Sequence, residues 1–184
     1  DGDSMIFVDT TISGSPILSI DWDMNNDNVF TNATGPIVKY LFPSFGIYNV
    51  GMMITTASSV DTIYKSVTVN EIPIVDFSFT EACQGVATSL LDQSTIVKDT
   101  IVKYYWDFDN DGNPDDSNTN AITNFAVAGT ILVGHAVVTN KGCFDFVVKP
   151  VKVNFQPSAD FSFSDNCIGD STLFTNNTVI LNDT

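Results

Sequence analysis

Hydrophobic and polar residues alternate in short runs along this chain. Leu18, Ile20, Trp22 and Met24 share one phase, with Ser19, Asp21 and Asp23 on the other, and Val102, Tyr104, Trp106 and Phe108 repeat the arrangement. A period of two puts successive side chains on opposite faces of a strand, so each run predicts a half-buried strand whose tryptophan enters a core. Tyr48, Val50, Met52 and Ile54 form another inward row after a turn at Gly46, and Val67 and Val69 close the module. Turn residues separate the runs at the spacing of an antiparallel sandwich. Glu is scarce and Arg absent, while Asp, Asn, Thr, Ser and Gly punctuate the chain, so no long helix is expected.

The pattern recurs with a period of roughly 84 residues. Pro73, Val75-Asp76-Phe77-Ser78-Phe79 and Cys83-Gln84-Gly85 return as Pro157, Ala159-Asp160-Phe161-Ser162-Phe163 and Cys167-Ile168-Gly169. Within the period, Ile20-Asp21-Trp22-Asp23 matches Tyr104-Tyr105-Trp106-Asp107, and the strand opening at Gly46 matches the one opening at Gly129. Gly2-Asp3-Ser4 matches Gly169-Asp170-Ser171. The expected organisation is therefore repeat one at 1–71 without its first strand, a complete repeat two at 72–155, and the first two strands of repeat three at 156–184. The first residue, Asp1, and the lack of a signal peptide read as an excerpt from a longer chain.

Composition narrows the partners. The 184 residues are 43% hydrophobic, with 14 Phe, and carry a net charge of -15. That field repels nucleic-acid phosphates and anionic membrane surfaces. No apolar run approaches the eighteen or so residues needed to span a bilayer, so direct membrane insertion is not expected. The acidity serves solubility, and in local clusters it suits a cation.

One such cluster is Asp107-Phe108-Asp109-Asn110-Asp111-Gly112, followed by Asp115 and Asp116. Oxygen ligands at alternate positions let a tight loop wrap a hard cation, with glycine permitting the turn, which is the logic of calcium loops. Asn118 stands where an EF-hand would need its bidentate Glu, and flanking helices are missing. A calcium loop between strands remains, with Asp107, Asp109, Asp111 and Asp115 as ligands; Asp23, Asn25 and Asp27 are the weaker counterpart. The competing reading is an Asp- and Asn-rich turn. His135, at the inward phase of Met52, reads as a packed histidine, and no serine or cysteine sits in an activating motif, so no catalysis is expected.

The order Trp106-Asp107-Phe108-Asp109-Asn110-Asp111-Gly112, aromatic Phe125, Gly129 opening a strand and Asn140-Lys141-Gly142-Cys143 before the last strand resembles the polycystic-kidney-disease (PKD) domain. The resemblance covers repeats one and two; the chain departs from the usual Trp-Asp-Phe-Gly-Asp-Gly signature by carrying Asp109 or Asn25 at the first glycine. It implies an all-β fold of tandem immunoglobulin-like, PKD-type antiparallel β-sandwiches. The cysteine placement also resembles PKD repeats of giant surface adhesins of gliding Bacteroidetes, which implies an extracellular, cell-surface stalk serving attachment and gliding motility, partnered by neighbouring repeats and by surface polysaccharide. The alternative is a spacer or carbohydrate-binding module of a secreted hydrolase, for which Tyr64, Tyr105 and Phe146 are the candidate aromatics.

Two modifications follow from this setting. Three cysteines are an odd count for an exported protein. Cys83 and Cys143 fall at opposite ends of an up-and-down sandwich, roughly 30 Å apart for ten-residue strands, beyond the about 7 Å a disulfide spans. Staples from Cys83, Cys143 and Cys167 to neighbouring repeats are expected instead. Asp followed by Ser or Thr, as at Ser4, Thr10, Thr62, Thr100 and Ser171, is similar to the O-glycan acceptor pattern of exported Bacteroidetes proteins.

Overall fold

A computed structural model describes residues 4–179. Gly2 and Asp3, part of one repeat match, lie outside these residues. The described residues form fifteen strands and no helix: β1 (Met5–Val8), β2 (Ile17–Asp23), β3 (Ala33–Thr34), β4 (Ile37–Tyr40), β5 (Gly46–Thr56), β6 (Val60–Val69), β7 (Phe77–Phe79), β8 (Ala82–Cys83), β9 (Ala87–Asp92), β10 (Ile101–Asp107), β11 (Ala121–Asn124), β12 (Gly129–Thr139), β13 (Phe144–Asn154), β14 (Phe161–Phe163) and β15 (Phe174–Asn176). The chain divides into two compact units, Asp1–Ile72 and Pro73–Thr184.

The second unit contains the more complete sandwich. One sheet runs β11-β9-β7 and the other β10-β12-β13-β8. All pairings are antiparallel except β8 on β13, where Ala82 and Cys83 lie parallel to Val153 and Asn154. This division of strands between two sheets is the immunoglobulin-like arrangement. Phe77, Leu90 and Ala121 from the first sheet meet Trp106, Val133, Val151 and Val153 from the second, with Phe125 at one end, in a single buried cluster. The Trp106 indole N–H donates to the Asn118 carbonyl at 3.0 Å, which satisfies the polar end of a fully buried ring.

The first unit repeats this plan with fewer strands. β2, β5 and β6 take the places of β10, β12 and β13, and β1 and β4 take those of β9 and β11; β3 adds a short edge pairing to β2. Trp22 again donates its indole N–H to a loop carbonyl, Gly35, at 3.0 Å, and packs with Met24, Val38, Phe42 and Val50. Among its described residues no strand corresponds to β7 or β8. A second copy of the β7–β9 pairing follows the second sandwich. Phe161, Ser162 and Phe163 pair with Asn176, Thr175 and Phe174, in the register by which Phe77, Ser78 and Phe79 pair with Asp92, Leu91 and Leu90.

Two inward positions are corrected. Leu18 is 66% exposed and Val102 is 51% exposed. In both strands the register slips at the same place, between Ile17 and Ser19 and between Ile101 and Lys103. A bulge adds one residue, so everything before it points to the opposite face. Beyond the bulge Ile20, Trp22, Met24, Tyr104, Trp106 and Phe108 face the core as the alternation predicts.

Candidate metal site and neighbouring functional residues

β10 ends at Asp107 and the chain turns back through a loop bridged to Trp106 by Asp116. Asn110 (φ 57°) and Gly112 (φ 90°) take left-handed conformations, which asparagine and glycine accept most readily. The turn wraps around the Asp107 carboxylate: Asp111 N–H donates to Oδ1 at 3.1 Å and Gly112 N–H to Oδ2 at 2.8 Å. Asp115 Oδ2 accepts the Phe108 N–H at 2.6 Å. The result brings one carboxylate oxygen each from Asp107, Asp109 and Asp115 within 4.8 Å of one another. The fourth predicted ligand, Asp111, lies outside this group of three, and its Oδ1 accepts the Asn113 backbone N–H at 2.7 Å. The Asp109 carboxyl is raised above the ordinary carboxylate value, first by partial desolvation, then by the charge of Asp111, with Asp115 and Asp107 adding to it; the Asp111 N–H opposes the shift.

The matching loop of the first unit is built differently from its expected outline. Asp23 was assigned to the solvent face with Asp21, yet it is fully buried. Its two oxygens accept N–H groups from Asn25 at 3.2 Å, Asp27 at 3.3 Å and Asn28 at 2.8 Å. The backbone donors of a tight turn need acceptors, and the Asp23 side chain at the strand end supplies two oxygens. Asn25 Nδ2 donates to Asp27 Oδ2 at 2.9 Å, so Asp27 is occupied by the loop as well. Asp23, Asn25 and Asp27 are thus linked by hydrogen bonds within one turn, as Asp107 is in the second unit.

Other predicted positions fall as follows. Cys83, Cys143 and Cys167 are all unbonded. Cys83 pairs beside Asn154, at one end of β13, while Cys143 precedes Phe144 at the other. Eleven strand residues separate these ends, about 36 Å at 3.3 Å per residue. Ser4, Thr10, Thr62, Thr100 and Ser171 are exposed, and Thr62 lies within β6 rather than in a turn. Tyr64 packs against Phe30 and donates its hydroxyl to Asn28 Oδ1 at 2.9 Å. Tyr105 and Phe146 both stand opposite Ala136, on neighbouring strands, and line a shallow cavity of about 250 Å³ with Phe144. Phe144 and Phe146 stack at 6.1 Å.

Two interactions have no precedent in the residue pattern. His135 is buried and stacked on Trp106 at 3.7 Å; Nδ1 meets the Tyr105 carbonyl at 3.1 Å and Nε2 meets Asp92 Oδ1 at 3.0 Å. Both ring nitrogens are thereby engaged within the protein. Lys149 reaches from β13 across the edge of the sandwich to β7, donating to the Phe77 carbonyl at 2.6 Å, pairing with Asp76 and lying 5.0 Å from the Phe77 ring centroid. Asp76 is lowered from its usual value, chiefly by the hydrogen bond from Lys149.

No family model and no curated protein matches the chain. Among solved structures it is similar to the PKD1 domain of Vibrio anguillarum Epp, at 24% identity and TM-score 0.42, covering 48% of this chain and 100% of that one. The PKD1 domain of the Vibrio cholerae metalloprotease PrtV is similar at 25% identity and TM-score 0.39, covering 45% and 98%. The fibronectin(III)-like modules of Clostridium thermocellum CbhA are similar at 14% identity and TM-score 0.41, covering 83% and 85%.

Proposed function

We propose that this chain is a non-catalytic stretch of an extracellular stalk, built from serial PKD-like sandwiches and belonging to a bacterial surface adhesin used for attachment and gliding. The carrying observation is structural recurrence. The hairpin bridged by Ile74 and Thr95 returns as the hairpin bridged by Ser158 and Val179, and both units place a Trp-Asp strand end against a glycine, Gly51 or Gly134. Repeats of one supersecondary plan are stabilised by their own cores and their neighbours. Each adds roughly 35–40 Å, given strands of about ten residues at 3.3 Å per residue plus turns. The one histidine has both ring nitrogens engaged in a buried site, which suits packing rather than proton transfer.

In this reading calcium is the cofactor of the Asp107 loop. Three convergent carboxylates form an oxygen-only donor set of the kind hard cations take, and the Asp109 carboxyl, raised first by desolvation and then by the charges of Asp111, Asp115 and Asp107, sits among negative groups that a divalent ion would neutralise. Cys83, Cys143 and Cys167 bond to cysteines of neighbouring repeats, and Ser4, Thr10, Thr62, Thr100 and Ser171 carry glycans. A second reading, carbohydrate binding, rests on Tyr105, Phe144 and Phe146 lining one shallow cavity.

Small-angle scattering on chains of increasing repeat number, with calcium and with chelator, tests the stalk. A constant length increment per repeat that stiffens with calcium supports it. Particles that grow more compact with added repeats overturn it. Retention on immobilised surface polysaccharide, lost on Phe146→Ala, would favour the second reading.

A further inference from the structure

The outer face of the sheet formed by β10, β12 and β13 carries a cavity of about 250 Å³ whose counterpart in the first unit is closed. Asp107 pairs with Gly134 as Asp23 pairs with Gly51, so the two glycines occupy equivalent floor positions. Over Gly51 lie two of the chain's own rings. An added Cβ there would stand 2.7 Å from Tyr64 and 3.1 Å from Phe30, whose ring centroids are 6.1 Å apart. In the second unit Val148 replaces Tyr64 opposite the glycine. Pro114 replaces Phe30, at the same distance along the chain from the buried tryptophan. Neither covers Gly134, where the atoms nearest an added Cβ belong to Asp107 and Asn110, the first at 3.4 Å.

Aromatic walls surround this opening. Tyr105 and Phe146 stand on either side of Ala136, one strand away in each direction, and Phe144 stacks beside Phe146 at 6.1 Å. Adjacent strands are about 4.8 Å apart, so a group seated over Ala136 is about 5 Å from the strand on either side, inside the about 6 Å over which a ring face attracts a cation. Phe144 and Phe146 are 55% and 60% exposed, which leaves their faces open to a ligand. Hydrogen-bonding capacity is scarce by comparison. The Asp107 oxygens already accept the N–H groups of Asp111 and Gly112, the Trp106 indole N–H is given to Asn118, and both His135 nitrogens are engaged. A ligand fixed by many hydroxyls is poorly served here, and one fixed by charge and shape is not.

We propose that this cavity binds an alkyl quaternary ammonium group of the choline kind, which needs no hydrogen bonds and is held by ring faces and charge. Charge complementarity selects a cation over a neutral apolar group. The Asp107 carboxylate belongs to the lining, oxygens of Asp109 and Asp115 lie within 4.8 Å of it, and the chain carries a net charge of -15. Lys103, across Val138 from Phe144, stays outside the lining. An anion adjoining the ammonium would meet the same carboxylates, so choline suits the site better than phosphocholine. Such binding gives the stalk a ligand on the flank of a module, in place of the sugar of the second reading.

Titration of choline into the 184-residue chain in chelator tests this, with the nuclear magnetic resonances of Tyr105, Ala136 and Phe146 as the readout. Saturable shifts with a dissociation constant of about a millimolar are expected. The uncharged alcohol with carbon in place of nitrogen should bind about tenfold more weakly, and phosphocholine more weakly than choline. Phe146→Ala should weaken choline binding at least about fivefold. Pro114→Phe combined with Val148→Tyr installs the rings of the first unit at two exposed positions and should abolish binding while every aromatic of the lining stays in place. Amide dispersion reports that each variant is folded. No shifts by about 100 mM choline, where a millimolar site is saturated, overturn the proposal. Equal binding of the uncharged alcohol, tighter binding of phosphocholine, or a neutral hexose that moves the same resonances at lower concentration overturns it as well. Binding that survives both Phe146→Ala and the filled variant lies elsewhere and does the same.

Discussion

Phe77→Ala is the substitution that most directly measures how the sandwich holds its first strand. β7 has three residues, and its one fully inward side chain is Phe77. That ring meets Trp106 at 5.3 Å, His135 at 6.0 Å and the Lys149 ammonium at 5.0 Å. Truncating a buried phenylalanine costs about 3–5 kcal/mol. The geometry points to the upper half, because an edge-on aromatic pair contributes roughly 0.5–1.5 kcal/mol beyond area burial. At about 4–8 °C per kcal/mol for a domain of this size, the melting midpoint of the second unit should fall by at least about 16 °C. Measured in a Trp22→Phe background, Trp106 fluorescence reports that unit alone, and its native emission should shift to the red as water reaches the indole. Phe79→Ala, two residues on and 38% exposed, is the control and should cost about 1 kcal/mol. Equal costs for the two would refute the argument that a single inward ring anchors this strand.

Further outcomes follow from individual contacts. Asp92→Ala leaves buried His135 with one unpaired nitrogen and should destabilise the second unit by about 1–3 kcal/mol, while His135→Met, which installs the residue found at Met52, should cost less; urea titration compares them. A Cβ at Gly51 would stand 2.7 Å from Tyr64 Cε1 and 3.1 Å from Phe30 Cε1, so Gly51→Ala should cost about 1–3 kcal/mol, whereas Gly14→Ala meets nothing within 4 Å and should be neutral in the same assay. The Asp109 carboxyl is raised in the folded state, so in chelator the native loop binds more protons than the unfolded chain and stability falls as pH rises through the window above the ordinary carboxylate value. Asp109→Asn removes that dependence and, by isothermal titration, weakens calcium binding. Asp76 is lowered, so its contribution is present above the ordinary carboxylate value and is lost as pH falls through its folded value; Lys149→Met abolishes this acid sensitivity in melts across pH.

What could be read from the sequence was local and repeated. The strand phase around Trp22 and Trp106, the openings at Gly46 and Gly129, and the return of Asp-Phe-Ser-Phe all lie within a few residues, and each is printed twice. Alternation carries no mark of a bulge, so Leu18 and Val102 were placed inward by extending a register that slips at Ile17 and Ile101. Asp23 was read as solvated because its acceptors' partners are backbone amides, which every sequence contains and none displays. The His135 to Asp92 bond spans 43 residues and the Lys149 bond to Phe77 spans 72. Only the repeat offered a signal for the latter, since Lys65 recurs at the phase of Lys149.

That recurrence bears on how the modules are held together. The first strand of a sandwich contributes few of its hydrogen bonds and one principal ring, and it is tied to the far sheet through a lysine on the last strand. Its attachment therefore depends on three features, an Asp-Phe pair, an aromatic slot and a lysine, rather than on chain connectivity. The second unit has all three in one piece. The first unit has the slot at Trp22 and the lysine at Lys65, and the exposed hairpin at Phe161 has the Asp-Phe pair. A strand specified so locally is seated chiefly by Phe77 and Lys149, so substitutions at those two positions should report its attachment.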